Sequence, residues 1–263
     1  DADKRLSGAA QQRAIAALER LGQNLRHMPS DHVRAVGTNA LRRARNARPF
    51  LRLAEAALGH RIEIISGQEE ARLICLGVAH ATERQGRRLV IDIGGGSTEC
   101  ILGEQFEVRR ADSLHMGCIS YTLRHFSGGE LKKSTLRRAT IAARLEFQPI
   151  ERRVRALGWD ACIGASGTVR AIEEILRVNG WSEGGITPGG LRRLRKALLS
   201  AGSIDALELP GLKPDRAQVL PGGYAILQAV FDSFGVEHMT TSACALREGV
   251  LHDLIGRAED EDV

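Results

Sequence analysis

The sequence is poor in aromatic residues, which make up 4% of its 263 residues. Because proteins that bind single-stranded nucleic acid stack its bases on aromatic rings, this scarcity argues against such a surface. No recognisable motif for sequence-specific nucleic-acid binding is present either. The chain also lacks an apolar run near the ~20 residues that a membrane-spanning helix needs, and no charged-then-apolar leader opens it. We therefore expect a cytoplasmic protein without a transmembrane segment.

Cysteines are few and isolated, with five residues and no C-x-x-C pair. Their apolar surroundings predict reduced, buried thiols and argue against a disulfide framework. The eight histidines form no pair with the spacing of metal ligands, which disfavours a histidine-based metal site. The sequence has no G-x-S-x-G segment, which disfavours a serine hydrolase.

Positive charge is concentrated at one end of the chain. The whole sequence carries 37 basic and 32 acidic residues, and residues 1–60 hold 11 of the basic and 5 of the acidic ones. The remainder is therefore close to neutral. We expect the first 60 residues to face an anion.

Helical and strand patterns alternate over the first 80 residues. Apolar residues recur at helical spacing over 11–28, short strands are predicted at 32–36 and 61–65, and one helical stretch between them ends at Gly59. A further helix is predicted from Ser66 to about residue 78. This alternation is typical of an α/β protein with a mostly parallel sheet.

The pattern changes after residue 84. Strands predicted at 89–93, 99–102 and 106–110 follow one another without a crossover helix, which indicates an antiparallel meander. Helices then dominate to the C-terminus, apart from a strand at 161–164.

A glycine-rich segment follows the strand at 89–93 and reads Asp92-Ile93-Gly94-Gly95-Gly96-Ser97-Thr98. Glycines let backbone N–H groups approach an anion closely, and an aspartate beside them can hold Mg²⁺. The segment is not a dinucleotide fingerprint, because it continues into a strand and not a helix. The alternative is a β-hairpin turn, although such a turn needs one or two glycines.

A second loop, Gly164-Ala165-Ser166-Gly167-Thr168, joins a strand to a helix. The free N–H groups of a helix N-terminus bind phosphate. The alternative is a serine that only caps the helix. Two such loops in one chain favour a phosphate chain held from two sides.

Two charged positions in the first part of the chain complete the set of candidates. Ser66 and Glu69 have the spacing of a capping box, which leaves Glu70 as a candidate base for activating water. The alternative for Glu70 is an acid that favours the helix dipole. Arg42 lies in a basic run just after a strand, where a guanidinium could bind phosphate oxygens or simply form a solvated helix face.

Taken in order, these segments resemble the exopolyphosphatase / guanosine pentaphosphate phosphohydrolase family, in particular the N-terminal catalytic module of bacterial exopolyphosphatase. The likeness extends over nearly the whole chain. It is carried by VGTNALR (36–42), EIISGQEEARLI (63–74), VIDIGGGSTE (90–99) and ASGT (165–168), with shorter likenesses at 116–118, 215–216, 220–223 and 245–250.

The resemblance implies a fold of the actin/Hsp70/sugar-kinase type, related to ribonuclease H, with two domains and a cleft between them. It implies that residues 1–74 belong to domain I, whose first strands are absent from these residues, and that the helix at 245–257 is a candidate to complete this domain. Residues 75–263 would form domain II. It also implies Glu70 as catalytic base, Arg42 as a phosphate ligand, and Asp92 and Glu99 as metal-site residues. The two glycine loops would bind phosphate, through Gly94, Gly95, Gly96, Ser97, Thr98, Gly164, Ser166, Gly167 and Thr168.

The sequence also departs from the family pattern. The Asp-x-Gly-Ser-Asn-Ser hairpin that forms the family's first phosphate loop is absent from these residues, and so is the helical C-terminal half of longer members. We therefore expect these 263 residues on their own to be inactive.

For the intact protein, the resemblance implies Mg²⁺-dependent release of terminal orthophosphate from inorganic polyphosphate, with other divalent cations or K⁺ as alternative ions. One alternative is hydrolysis of guanosine pentaphosphate. Another is a non-hydrolytic module that binds ATP or a polyanion on the same fold. The family also implies a homodimer.

Overall fold

Two units of structure make up the described chain. The computed structural model describes residues 5–82 and 86–261. The first unit combines the residues up to Glu70 with those from Val250 onward, and the second is formed by Ala71–Gly249. The division falls within two helices, α4 (Gly67–Ala81) and α11 (Leu246–Glu261).

The first unit contains a two-stranded parallel sheet with helices around it. Val36 pairs with Glu63 at the centre of this sheet, which confirms the predicted parallel strands. In chain order the elements are α1 (Gly8–Leu25), a 3₁₀ turn (Ser30–His32), β1 (Ala35–Gly37), α2 (Asn39–Arg43), α3 (Ala47–Leu58), β2 (Ile62–Ile64), the start of α4 (Gly67–Ala81) and the later part of α11 (Leu246–Glu261).

Three predictions in this unit are wrong in detail. The helix expected over 11–28 lies three residues earlier, at Gly8–Leu25. The strand expected at 32–36 is shifted, because His32 belongs to the 3₁₀ turn. The single helix expected before Gly59 is broken between α2 and α3, where the Asn46 side chain exchanges hydrogen bonds with the Leu6 backbone. Gly59 ends α3 as predicted, with φ of 78° and its N–H donating to the Glu55 carbonyl.

The second unit contains a five-stranded mixed sheet. In chain order the strands are β3 (Arg87–Ile93), β4 (Thr98–Glu104), β5 (Glu107–Leu114), β6 (Ala161–Gly164) and β7 (Thr240–Thr241), and their order in the sheet is β5-β4-β3-β6-β7. The predicted meander is confirmed, since β4 pairs antiparallel with both β3 and β5. β6 pairs parallel with β3, and β7 pairs parallel with β6. The two-residue strand β7 was not expected.

Helices cover both faces of this sheet. On one face, the larger core joins apolar residues of β3, β4 and β6 to those of the helices that follow β5. α10 is buried along almost its whole length, as a helix that is apolar all round must be. On the other face, α4 from Ala71 onward packs on Val90, Ile101 and Ile163. The helices not yet named are α5 (Cys118–His125), α6 (Lys133–Leu157), α7 (Gly167–Val178), α8 (Pro188–Ala201), α9 (Pro214–Ala217) and α10 (Leu220–Phe234).

All five cysteines are free thiols, as predicted. Cys75, Cys100, Cys118 and Cys162 are buried. Cys244 is only half-buried, so the prediction of burial is wrong there; it lies in the loop that leads into α11. None of the described helices combines the length and apolar character needed to cross a membrane.

Candidate functional site

A pocket of about 630 Å³ opens in the second unit at the edge of the sheet where the parallel strands β3 and β6 end. Residues at or next to the starts of α5, α7, α10 and α11 line it. Because each helix start carries partial positive charge, their convergence favours an anion. The lining residues are Asp92, Ile93, Gly94, Gly95, Cys118, Ile119, Ala165, Ser166, Gly167, Thr168, Arg170, Asp215, Arg216, Val219, Ala243, Ala245, Leu246, Arg247 and Glu248.

The first glycine loop connects β3 to β4 as a hairpin and is fixed by the start of α5. Gly94 N–H donates to Ser97 O at 2.9 Å. Cys118 N–H donates to Gly94 O at 2.9 Å and Ile119 N–H to Gly95 O at 3.0 Å. In the described part of the chain, the N–H groups of Gly95 and Gly96 have no acceptor. The carbonyls of Gly94, Gly95 and Ser97 therefore have donors, whereas two amides of the loop are left for an anion.

Close packing explains part of the glycine content here. Gly94, Gly95 and Gly96 do not adopt positive φ. A Cβ on Gly117 would lie 2.3 Å from the nitrogen of Gly96 and 2.4 Å from the carbonyl carbon of Gly95. The loop backbone and the start of α5 thus touch directly, which only small residues allow.

The hydroxyl residues of this loop lie beneath the pocket. Ser97 and Thr98 are buried, and Thr98 Oγ1 donates to Met116 O at 2.7 Å. Neither residue is part of the pocket lining, and Gly96 is not part of it either. Thr98 anchors the loop, and contact of these side chains with phosphate stays a prediction.

The two candidate metal ligands form a cross-strand pair. Asp92 on β3 is directly opposite Glu99 on β4, so the two carboxylates project from the same face of the sheet. Asp92 lines the pocket, whereas Glu99 is 1% exposed and accepts a hydrogen bond from Ser113 Oγ at 2.9 Å. Within the described residues they belong to no cluster of three metal-ligating side chains. Two carboxylates fit Mg²⁺, which keeps several waters and binds phosphate oxygens.

The second glycine loop leads into α7. Ser166 Oγ accepts from Val169 N–H at 3.2 Å, so the capping role weighed as an alternative is observed. Gly167 and Thr168, the first two helical residues, line the pocket, and amides at these positions have no acceptor within a helix. Gly164 does not line the pocket and packs against α7, since a Cβ there would be 2.3 Å from Val169 Cγ1.

Three pocket arginines were not among the predicted site residues. Arg216 Nε lies 3.5 Å from Asp215 Oδ2. The Arg216 guanidinium also lies next to Gly167, because a Cβ added to this glycine would be 3.3 Å from Arg216 Nη2. Arg247 pairs with Glu248 at 2.7 Å. Arg170 lies on α7, one turn after the predicted loop. Its place one turn after the loop could have identified Arg170 as a site residue from the sequence.

Glu248 occupies the start of α11. Its Oε2 accepts from Ala245 N–H at 2.9 Å. Burial alone would raise the pKa of Glu248, but the hydrogen bonds from Ala245 N–H and Arg247 outweigh it and lower the pKa. This carboxylate is therefore ionised at neutral pH and offsets the charge of Arg247.

In the first unit, the structure brings the predicted base and the predicted phosphate-binding arginine together. Arg42 Nη1 donates to Glu70 Oε2 at 3.2 Å and to Ile65 O at 2.6 Å. Glu70 is 7% exposed. Burial raises its pKa, while the hydrogen bond and charge of Arg42 act in the opposite direction and are outweighed. A carboxylate of raised pKa is better suited to accept a proton.

The neighbouring acid has a different environment. Glu69 N–H donates to Ser66 Oγ at 3.1 Å, which confirms the serine half of the predicted capping box. Its carboxylate lies 3.6 Å from Arg34. Glu69 therefore has structural contacts, as the spacing indicated.

Comparison with known proteins gives consistent matches. The model of the Ppx/GppA phosphatase family matches residues 1–258. A guanosine-5'-triphosphate,3'-diphosphate pyrophosphatase of Aeromonas hydrophila subsp. hydrophila is 44% identical over 262 residues, covering 100% of this chain and 53% of that protein. The protein of the same name from Vibrio cholerae serotype O1 is 42% identical over 263 residues, with the same coverage. This chain thus spans about half the length of these curated relatives.

Among solved structures, an exopolyphosphatase from Cytophaga hutchinsonii matches with 25% identity and a TM-score of 0.84, over 96% of this chain and 84% of that one. The α/β fold of the actin and sugar-kinase type expected from the sequence is therefore confirmed.

Proposed function

The chain belongs to the Ppx/GppA phosphatase family, and on that premise we propose that the protein hydrolyses guanosine 5'-triphosphate 3'-diphosphate to the tetraphosphate and orthophosphate. The relatives at 42% and 44% identity carry this substrate in their names. The exopolyphosphatase structure is more distant, at 25% identity. Hydrolysis of inorganic polyphosphate, the first expectation from the sequence, is now the less supported alternative.

The pocket in the second unit is the observation that carries this proposal. Backbone amides of the first glycine loop and of α7 face it without an acceptor among the described residues, and three arginines line it. Such groups bind phosphate oxygens with charge-assisted hydrogen bonds. The lining includes Ile119, Val219 and Leu246, which offer apolar surface to a nucleoside. A linear polyphosphate has no group that would use this surface.

We propose Glu70 as the general base and Arg42 as the residue that orients it. Water would attack the terminal phosphorus of the 5' chain and give its proton to the Glu70 carboxylate. The bond between that phosphorus and the bridging oxygen breaks, and the bridging oxygen stays on the nucleoside tetraphosphate. The Ile65 carbonyl and the Glu70 carboxylate hold the Arg42 guanidinium between them, which restricts the position of the carboxylate.

Mg²⁺ is the cofactor that we propose, held by Asp92 and Glu99. When bound, it would supply charge compensation for the phosphate oxygens. The amides of Gly95, Gly167 and Thr168, which line the pocket, would bind the same oxygens without needing an ion. The pairing of Asp92 with Glu99 across the hairpin supports this role.

The test is turnover by the protein as its gene encodes it, with Mg²⁺, on guanosine pentaphosphate, GTP and linear polyphosphate side by side. We expect kcat/KM for guanosine pentaphosphate to exceed the other two by at least about tenfold, which is a difference of about 1.4 kcal/mol in transition-state binding. Preference for polyphosphate would support the exopolyphosphatase alternative. Binding of ATP without hydrolysis of any of the three would support the non-catalytic alternative.

A further inference from the structure

The pocket arginine on α7 has no evident structural role. Arg170 is the fourth residue of α7 and three residues after Gly167. A positive charge so close to a helix N-terminus opposes the helix dipole and does not stabilise the helix. The two acids at helical spacing from it have other partners, since Glu173 accepts a hydrogen bond from Thr241 and Glu174 pairs with Arg177 at 2.7 Å.

The remaining contacts of Arg170 are weak. Its Nη1 donates to Ala243 O at 3.4 Å, at the edge of hydrogen-bond range. Among the side chains that the structure describes, Arg170 forms no ion pair. Arg216 and Arg247 differ in this respect, because each has a neighbouring carboxylate, Asp215 and Glu248 respectively. Arg170 thus brings to the pocket a charge that no carboxylate of the described chain neutralises.

We propose that Arg170 is a substrate-binding residue that holds a phosphate group other than the one bound by the loop amides. This inference rests on the proposed function and extends it. A guanidinium presents several donors to phosphate oxygens in a fixed plane. The substrate offers two sources for the group, the inner part of the 5'-triphosphate and the 3'-diphosphate.

The experiment measures affinity by calorimetry in the protein as its gene encodes it, with Glu70→Gln in every sample so that ligand is not consumed. Arg170→Gln is compared with Arg193→Gln. Arg193 is a matched control, because it is exposed on α8, donates to a carbonyl, Gly180 O, at 3.2 Å, and does not line the pocket. The ligands are guanosine pentaphosphate, GTP and inorganic tripolyphosphate.

We expect Arg170→Gln to weaken binding of guanosine pentaphosphate at least tenfold and Arg193→Gln to change it less than twofold. If the 3'-diphosphate is the group held, affinity for GTP and tripolyphosphate stays within twofold. If it belongs to the 5' chain, all three affinities fall together. Both results support the inference.

A change of less than twofold for all ligands would overturn the inference, and so would a protein that binds none of them. Thermal unfolding separates binding from structure. We expect the midpoint of Arg170→Gln to stay level or rise, since a cation is removed from a helix start; a fall in midpoint that accompanies the loss of affinity would also overturn the inference. Turnover with Glu70 intact is measured separately, so that binding without hydrolysis refutes the proposed function alone.

Discussion

A single methyl group added at Gly249 should disrupt the contact between α4 and α11. A Cβ at this position would lie 1.8 Å from the carbonyl oxygen of Leu73 and 3.2 Å from the nitrogen of Gly77. A Cβ on Gly77 would in turn lie 2.1 Å from Ala245 O. Because these are backbone atoms, no side-chain rotation relieves the clash, and the helices must separate. Overpacking of this kind costs about 1–3 kcal/mol.

The matched control lies on the same helix. A Cβ on Gly256 would meet nothing within 4 Å, so Gly256→Ala should stabilise the helix by about 0.5–1 kcal/mol. We expect urea unfolding to shift in opposite directions for the two variants. Gly249→Ala should also weaken phosphate binding, since the start of α11 lines the pocket. A Gly249→Ala protein as stable as the wild type would refute the packing argument.

Three further predictions concern single side chains. Arg42→Met removes the contacts that lower the pKa of Glu70, so this pKa should rise further. The acid limb of the pH profile of kcat should then move to higher pH. An unmoved limb would show that Arg42 does not control the ionisation of Glu70. Thr98→Val leaves the Met116 carbonyl unpaired and should cost about 1–3 kcal/mol in urea unfolding, whereas an unchanged midpoint would mean that water replaces the hydroxyl. Ser166→Ala removes the cap of α7 and should cost about 1 kcal/mol by the same assay, and no loss would contradict the capping bond.

Local patterns were sufficient to predict much of the fold. The direct succession of three predicted strands without a crossover helix implied the meander, and the strand at 161–164 was predicted with the bounds observed. The break at Asn46 could not be predicted in this way, because it depends on a contact with Leu6, 40 residues away. β7 is also a tertiary feature, since two threonines become a strand only by pairing with β6.

The candidate site shows the same division between local and distant information. Each loop was recognised from its glycines, whereas the pairing of Asp92 with Glu99 was not predicted and is seen only in the structure, where the hairpin places them opposite each other. The cationic side of the pocket was missed. Arg170 follows the predicted loop by one turn and had a local signal, but Arg216 is 46 residues further along the chain and joins it only in the fold. Charge counting along the chain pointed instead to residues 1–60. Whether a loop hydroxyl faces solvent or, like that of Thr98, the interior is likewise set by packing.

The proposed hydrolysis depends most directly on Glu70 as the base. The decisive measurement compares Glu70→Gln with Glu69→Gln in the protein as its gene encodes it, for turnover of guanosine pentaphosphate and for its binding. Removing a general base should lower kcat by about 10²–10⁴-fold, while the affinity for substrate stays within threefold and Glu69→Gln retains near-normal turnover. Unchanged turnover in Glu70→Gln, or equal loss of turnover and binding, would contradict the assignment.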